Sequence, residues 1–345
     1  MRKSLQIMLG SDPDMEIVGQ AKNGKEGVEM AKHLEPDVIT LDIEMPVMDG
    51  LKALEIIMKE RPTSVLMVSS LTTEGADATI RALELGAVDF IPKEMSYVNV
   101  KIQDIKDDLI RKIKTIVQRK IISRTIQRLR AITGKTDRER EAIAPAPPPS
   151  KLPPKIGYKA VMVGVSTGGP LSLQKVVPEL SISKLKIPIF LVQHMPPKFT
   201  RSLAERLNDM SEVEVKEAEH NEIVRGGVVY IAPGGKHMRV RSGGGEERID
   251  VGDKPEEVLH RPSVSVTMES VLDVYGKHTL GVMMTGMGRD GADAFERLKN
   301  LGGHALAQDE STCVVYGMPK AVVDAGAADT VLTLDRIAPT INEIV

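Results

Sequence analysis

An apolar run, Val161-Met162-Val163, empties into Gly164-Val165-Ser166-Thr167-Gly168-Gly169 and then Pro170. The pattern predicts a strand, a tight turn and a helix start, with glycines that let the backbone bend sharply. A serine on such a turn stands proud of the sheet edge, and the unpaired N–H groups of the helix N-terminus face any developing oxyanion. The G-x-S-x-G spacing is that of a nucleophile elbow. Taken alone, the stretch reads equally as a Gly-rich turn that only packs or that holds a phosphate.

A nucleophilic serine needs a base. The next apolar run, Ile187 to Val192, ends in Gln193-His194-Met195-Pro196-Pro197, so His194 falls just past the carboxyl end of a second strand. Neighbouring strand ends of a parallel sheet converge on one crevice. Of the seven histidines His194 is the best placed, whereas His33, His220 and His278 read as helix or loop residues. The orienting acid is found the same way. Thr279 to Met284 opens into Thr285-Gly286-Met287-Gly288-Arg289-Asp290-Gly291, with a helix beginning near Ala292. Asp290 reads either as an N-cap or as a carboxylate that fixes the tautomer of His194 and stabilises its protonated form during acyl transfer. The order Ser, His, Asp differs from that of the α/β-hydrolases, so that fold is not implied.

The motifs GVSTGGP, QHMPPKFTRSLAERLN, IAPGGKHMRV, HRPSVSV, TGMGRDGA and AQDESTCVVYGMP, in register from about Gly157 to the C-terminus, together resemble the catalytic domain of the CheB family. These are chemotaxis protein-glutamate methylesterases and glutaminases. The resemblance implies Ser166 as nucleophile, His194 as base, Asp290 as its orienter, and the backbone N–H of Met287 in the oxyanion hole. It implies no organic cofactor or metal for catalysis. One departure stands out: the family's usual RPSVD reads Arg261-Pro262-Ser263-Val264-Ser265 here, so a polar contact near the cleft is expected to be altered.

The elements that must position these residues belong to a long chain. Its 345 residues suffice for two domains with cores of their own, and 41% hydrophobic content suits a globular protein. The net charge of −2 gives no field for nucleic acid. The single cysteine, Cys313, excludes a disulfide framework and reads as a core residue. The absence of a signal peptide or a transmembrane run predicts a cytoplasmic protein, not membrane-inserted. Ala144-Pro145-Ala146-Pro147-Pro148-Pro149-Ser150 reads as a semi-rigid linker. A basic helical stretch from Arg111 to Arg140, with Arg119, Lys120, Arg124, Arg128 and Arg130, precedes it. Without interleaved aromatics it reads as a solvated connecting helix and not as a nucleic-acid patch. The expected organisation is a first domain over 1–112, the helix and linker over 113–155, and a catalytic domain over 156–345.

In the first domain, strands are predicted at Glu16 to Ala21, Val38 to Leu41, Val65 to Val68 and Phe90 to Ile91. Helices are predicted at Gly24 to His33, Leu51 to Lys59, Thr73 to Leu85 and from Val98 onward. The alternation predicts a doubly wound parallel sheet, and the catalytic domain is expected to be a doubly wound parallel α/β sheet as well. Asp42 ends a buried strand, where ligands bind. The runs LDIEMPVMDG, VSS and FIPK resemble a flavodoxin-like two-component receiver domain. That resemblance implies Asp42 as phosphoacceptor, Ser69 as switch hydroxyl, Lys93 as the cation beside the phosphoryl group, and the Glu44 carbonyl as a Mg²⁺ ligand.

Met1-Arg2-Lys3 matches the start of the first receiver helix, so the first strand and the acidic pair that binds Mg²⁺ are missing from this sequence. Phosphorylation is therefore expected to be impaired. A start site assigned too far downstream and a truncated product both account for this; the intact helix sequence KSLQIML favours the former. The family also implies methylated chemoreceptors as substrate, a chemotaxis histidine kinase as phosphodonor, and an unphosphorylated receiver that covers the cleft. A dinucleotide-binding domain is disfavoured, because GVSTGGP is not G-x-G-x-x-G and IPIFLVQH ends without the acidic residue that would hold a ribose. A non-catalytic signalling scaffold of the same fold is the other alternative.

Overall fold

Strands buried on both faces need near-continuous β-branched and aliphatic runs, and such runs recur along the chain between amphipathic segments. The computed structural model describes residues 2–93, 106–118 and 152–345, in two compact units, Met1–Pro148 and Pro149–Val345. The basic stretch beyond residue 118 and the proline-rich run lie outside the described residues. So does the start of the helix expected from Val98.

The first unit runs α1 (Arg2–Leu9), α2 (Gly24–Leu34), β1 (Val38–Asp42), α3 (Gly50–Glu60), β2 (Ser64–Ser69), α4 (Thr73–Glu84) and β3 (Asp89–Pro92). A further helix, α5, covers 106–118. Three of the helices start where a side chain satisfies an otherwise unpaired N–H: Asn23 accepts from Glu26, Asp49 from Lys52 and Thr72 from Gly75. The three strands are parallel in the order β1-β2-β3. Central β2 is lined by completely buried Val65, Leu66 and Met67. Leu5 and Met8 of α1 and Leu109 of α5 cover one side by packing on Leu66, Val68 and Ile91.

The strand expected over Glu16 to Ala21 does not form; those residues carry no ladder. A strand exists through the hydrogen bonds of its neighbour, and among the described residues β1 pairs with β2 alone.

The second unit contains β4 (Ala160–Val165), α6 (Gly169–Val176), β5 (Ile189–Gln193), α7 (Phe199–Met210), β6 (Glu214–Glu217), β7 (Val228–Ile231), β8 (His237–Gly243) and β9 (Glu246–Gly252). It continues with α8 (Val264–Tyr275), β10 (Thr279–Met283), α9 (Ala292–Asn300), β11 (His304–Gln308), α10 (Met318–Asp324), β12 (Thr330–Leu332) and α11 (Leu334–Ile344). Seven strands form one parallel sheet in the order β12-β11-β10-β4-β5-β7-β6. The chain winds outward from β4 to one edge, then returns beside β4 with β10 and winds to the other. The direction of winding reverses between β4 and β10, which is where ligands bind in open α/β sheets. Every residue of β4 and β10 is buried.

Phe190 of β5 stacks on Tyr230 of β7 with ring centroids 5.9 Å apart. The Tyr230 hydroxyl accepts the Arg225 N–H at 2.8 Å, so the buried polar atom is satisfied. The antiparallel hairpin β8–β9 buries Met238, Val240 and Ile249 in the same core as Met268 and Leu272 of α8. Among the described residues no helix is long and apolar enough to cross a membrane.

Candidate active site

Because β10, β4 and β5 are parallel neighbours, the loops that leave their carboxyl ends meet at one edge of the sheet. Ser166 leaves β4 on the turn into α6. Its N–H donates to the Thr285 carbonyl at 3.0 Å. Its own carbonyl accepts from Gly169 N–H at 2.8 Å and from Gln193 Nε2 at 3.0 Å. The turn needs glycine at 168, where φ is +75° and a Cβ would collide with the Val314 side chain. From the β10 side, Gly286 approaches so closely that a Cβ there would lie 2.9 Å from the Ser166 Cβ. The Gly286 N–H donates to the Val315 carbonyl, and its carbonyl accepts from Gly317 and Met318. The backbone entering Met287 is thereby fixed next to Ser166.

His194 continues the β4–β5 ladder one residue past the strand, its N–H donating to the Val165 carbonyl at 3.2 Å. Its ring Nε2 lies 2.8 Å from Asp290 Oδ2, with the two side chains only 9% and 11% exposed. The opposite ring nitrogen, Nδ1, is buried and has no hydrogen-bond partner. Ser166 and His194 are thus neighbours at adjacent strand ends without a closed hydrogen bond between them. Such bonds often tighten only with substrate bound. The His260 ring stacks on the His194 ring, centroids 4.3 Å apart and planes 17° from parallel.

The N-cap reading of Asp290 is not realised on α9, whose N-cap is Gly291. The carboxylate instead caps α8 from across the cleft. Oδ2 accepts Val264 N–H at 2.7 Å, and Oδ1 accepts Ser263 Oγ at 2.9 Å, Ser265 N–H at 3.1 Å and Ser265 Oγ at 2.8 Å. Burial by itself would raise this pKa. The hydrogen bond and charge of His194, with the bonds from Ser265, outweigh it and hold the carboxyl well below the usual carboxylate range. His260, Ser263 and Ser265 were not singled out from sequence as members of the site. The signal available was the run HRPSVSV, in which Ser265 marked a departure.

In the first unit Asp42 ends β1 and Lys93 follows β3. Lys93 Nζ lies 2.7 Å from both Asp42 Oδ1 and Glu44 Oε2. The Lys93 bond and charge lower the Glu44 pKa. For Lys93, burial works downward but the two carboxylates prevail and raise its pKa. Ser69 is completely buried, and its hydroxyl donates to the Gly75 carbonyl at 2.9 Å, not to the Asp42–Lys93 pair. The receiver resemblance implies Mg²⁺ beside Asp42. The carboxylates there, Asp42 and Glu44, are both engaged by Lys93, and no group of three His, Cys, Asp or Glu that could hold a metal occurs among the described residues. That donor set does not make a site for an ion that takes six oxygens.

The family model for CheB methylesterase matches residues 161–341 and that for a response regulator receiver domain matches 1–102. A relative from Oleidesulfovibrio alaskensis, named protein-glutamate methylesterase/protein-glutamine glutaminase 1, is 46% identical over 100% of this chain and 96% of its own. A protein-glutamate methylesterase/protein-glutamine glutaminase of Pyrococcus abyssi is 44% identical over 99% of this chain and 89% of its own. The crystal structure of the Thermotoga maritima CheB methylesterase catalytic domain is similar at TM-score 0.53 and 42% identity, covering 55% of this chain and 100% of that one.

Proposed function

The chain belongs to the CheB methylesterase family, receiver domain included, and from that premise we propose that its protein-glutamate methylesterase and protein-glutamine glutaminase chemistry runs through Ser166, His194 and Asp290. The substrates of this reading are glutamate methyl esters and glutamines on chemoreceptors. Ser166 Oγ attacks the side-chain carbonyl, and its proton passes to His194 Nδ1. Asp290 holds the ring by Nε2 and stabilises the imidazolium. The backbone N–H of Met287 donates to the oxyanion of the tetrahedral intermediate. His194 then gives its proton to the leaving group, releasing methanol from an ester or ammonia from an amide, and leaves an acyl-enzyme. Water, deprotonated by His194, attacks the acyl carbonyl and restores Ser166.

The single observation that carries this reading is the His194 ring. One nitrogen is held by a carboxylate with four further donors, and the other is buried, unpartnered and at the strand end beside Ser166. A non-catalytic scaffold gives no account of that arrangement. In the receiver domain the same reading makes Asp42 the phosphoacceptor for a chemotaxis histidine kinase and Lys93 the cation that pairs with the phosphoryl group. Because the carboxylates there, both engaged by Lys93, do not make a Mg²⁺ site, phosphorylation is expected to be impaired. Ser69 is the switch hydroxyl, a role that exchanges its bond to the Gly75 carbonyl for one to phosphate.

The test is methanol release from methylated chemoreceptor membranes. Ser166→Ala removes one hydroxyl from a half-buried turn position whose side chain makes none of the turn's backbone bonds, so it is expected to abolish release while leaving the circular dichroism and melting temperature nearly unchanged. Activity above a few per cent of the parent enzyme in a well-folded Ser166→Ala sinks the assignment of the nucleophile.

A further inference from the structure

Ser265 is held at both ends. Its hydroxyl accepts the Gly291 N–H at 2.8 Å and lies 2.8 Å from Asp290 Oδ1. A hydroxyl has one proton to give; with Gly291 occupying a lone pair, that proton points to the carboxylate. The Ser265 N–H meets the same oxygen at 3.1 Å. The residue thus ties the first turn of α8 to Asp290 and to the residue that follows it, so the carboxylate is gripped from outside its own loop.

We propose that Ser265 is a positioning residue for ester hydrolysis, its hydroxyl bridge holding the Asp290 carboxylate so that Oδ2 faces His194 Nε2, and withdrawing charge from the carboxylate as it does so. The proposal rests on the reading of Ser166, His194 and Asp290 as nucleophile, base and orienter. Oδ1 carries three serine-derived bonds, and Oδ2 the bond to the imidazole and one from Val264 N–H, so rotation of the carboxylate away from the histidine costs the serine bonds as well. Donors on Oδ1 also spread the negative charge that favours an imidazolium at 194. Removing the hydroxyl concentrates that charge on Asp290 and tightens its hold on the ring, so the acid limb of the pH–rate profile is expected to move to higher pH. An aspartate at 265, as in the RPSVD run that this sequence departs from, would set a second carboxylate against the first and push the same way further. The other titratable and charged groups about the pair are His260, stacked on His194, His237, which feels Asp290 and Arg261 electrostatically, and Arg289, ion-paired with Asp293. All are unchanged in the variants below.

The experiment follows methanol release by the full chain from methylated chemoreceptor membranes across pH, in Ser265→Ala, Ser265→Thr and Ser265→Asp, with Ser166→Ala alongside. Ser265→Ala is expected to lose about tenfold in kcat with KM unchanged, the scale of one hydrogen bond to a charged group, and to shift the acid limb of kcat/KM to higher pH. Ser265→Thr keeps a hydroxyl and is expected to restore both kcat and the limb; Ser265→Asp is expected to move the limb further up. A folded Ser265→Ala with parental kcat and acid limb, beside an inactive Ser166→Ala, overturns the positioning role and leaves the triad standing. If Ser265→Ala fails to fold, a folded Ser265→Thr with reduced kcat, or a Ser265→Asp with an unmoved limb, overturns it equally. An active Ser166→Ala overturns the underlying reading and the proposal with it.

Discussion

Asp290 does from across a cleft what an N-cap does from within a helix: it meets the exposed N–H groups of Val264 and Ser265 and adds its charge to the positive end of α8. A carboxylate held this way is expected to make stability depend on pH. Its folded pKa is depressed, so its contribution is present in full above the unfolded aspartate value of about 4 and is lost as pH falls through the lower folded value. Melting temperatures measured from about pH 5 down to about pH 2 are expected to fall less steeply in Asp290→Asn than in the parent. Parallel curves would refute this. In catalysis, Asp290→Asn is expected to cost at least about tenfold, and His194→Ala nearly as much as Ser166→Ala. The double variant of Ser166 and His194 is expected to be no worse than either, because such residues act as a unit. Ser166, His194 and Asp290 were legible because each lies in the loop that ends an aliphatic run. His260 and Ser265 were not: they meet the site through ring stacking on His194 and through a bond to Asp290, 25 positions away, and no local pattern encodes either.

At the level of elements, the turn that carries Ser166 depends on a left-handed residue at 168 and on the Val314 side chain lying against it. Gly168→Ala is expected to destabilise the second unit by about 1–2 kcal/mol from backbone strain alone, with more from the collision. It is also expected to displace the Ser166 hydroxyl, lowering kcat more than KM. Urea unfolding midpoints and steady-state kinetics check both; a variant with an unchanged midpoint would show that the turn relaxes freely. The helices at 24–34, 50–60 and 73–84 were readable from amphipathic spacing, since capping residues mark their starts. The strand expected at 16–21 was not realised, because alternation in a sequence specifies a strand's face and not its partner. The hairpin β8–β9 went unread. Its alternation of Met238, Val240, Ile249 and Val251 is split by Gly243-Gly244-Gly245, a turn signal that the richer loop motifs around it obscured.

For the whole molecule, the division at Pro148 and Pro149 leaves Ser166, His194, Met287 and Asp290 together in the second unit. A fragment spanning 152–345 is expected to unfold in one cooperative transition and to release methanol from methylated receptors without a phosphodonor. A folded but inactive fragment would mean that the first unit supplies part of the machinery. The central position of β4 has a consequence in time as well as in space. Its six buried residues need a partner on each side, yet one of these, β10, is synthesised long after the other, β5. Until β10 arrives, β4 is an uncovered apolar edge of the kind that recruits foreign strands. His194 meanwhile waits for a carboxylate 96 residues further along. The nascent chain is therefore most vulnerable to aggregation, and His194 still without its carboxylate, over the same interval, and one event, the insertion of β10 with the loop that follows it, ends both.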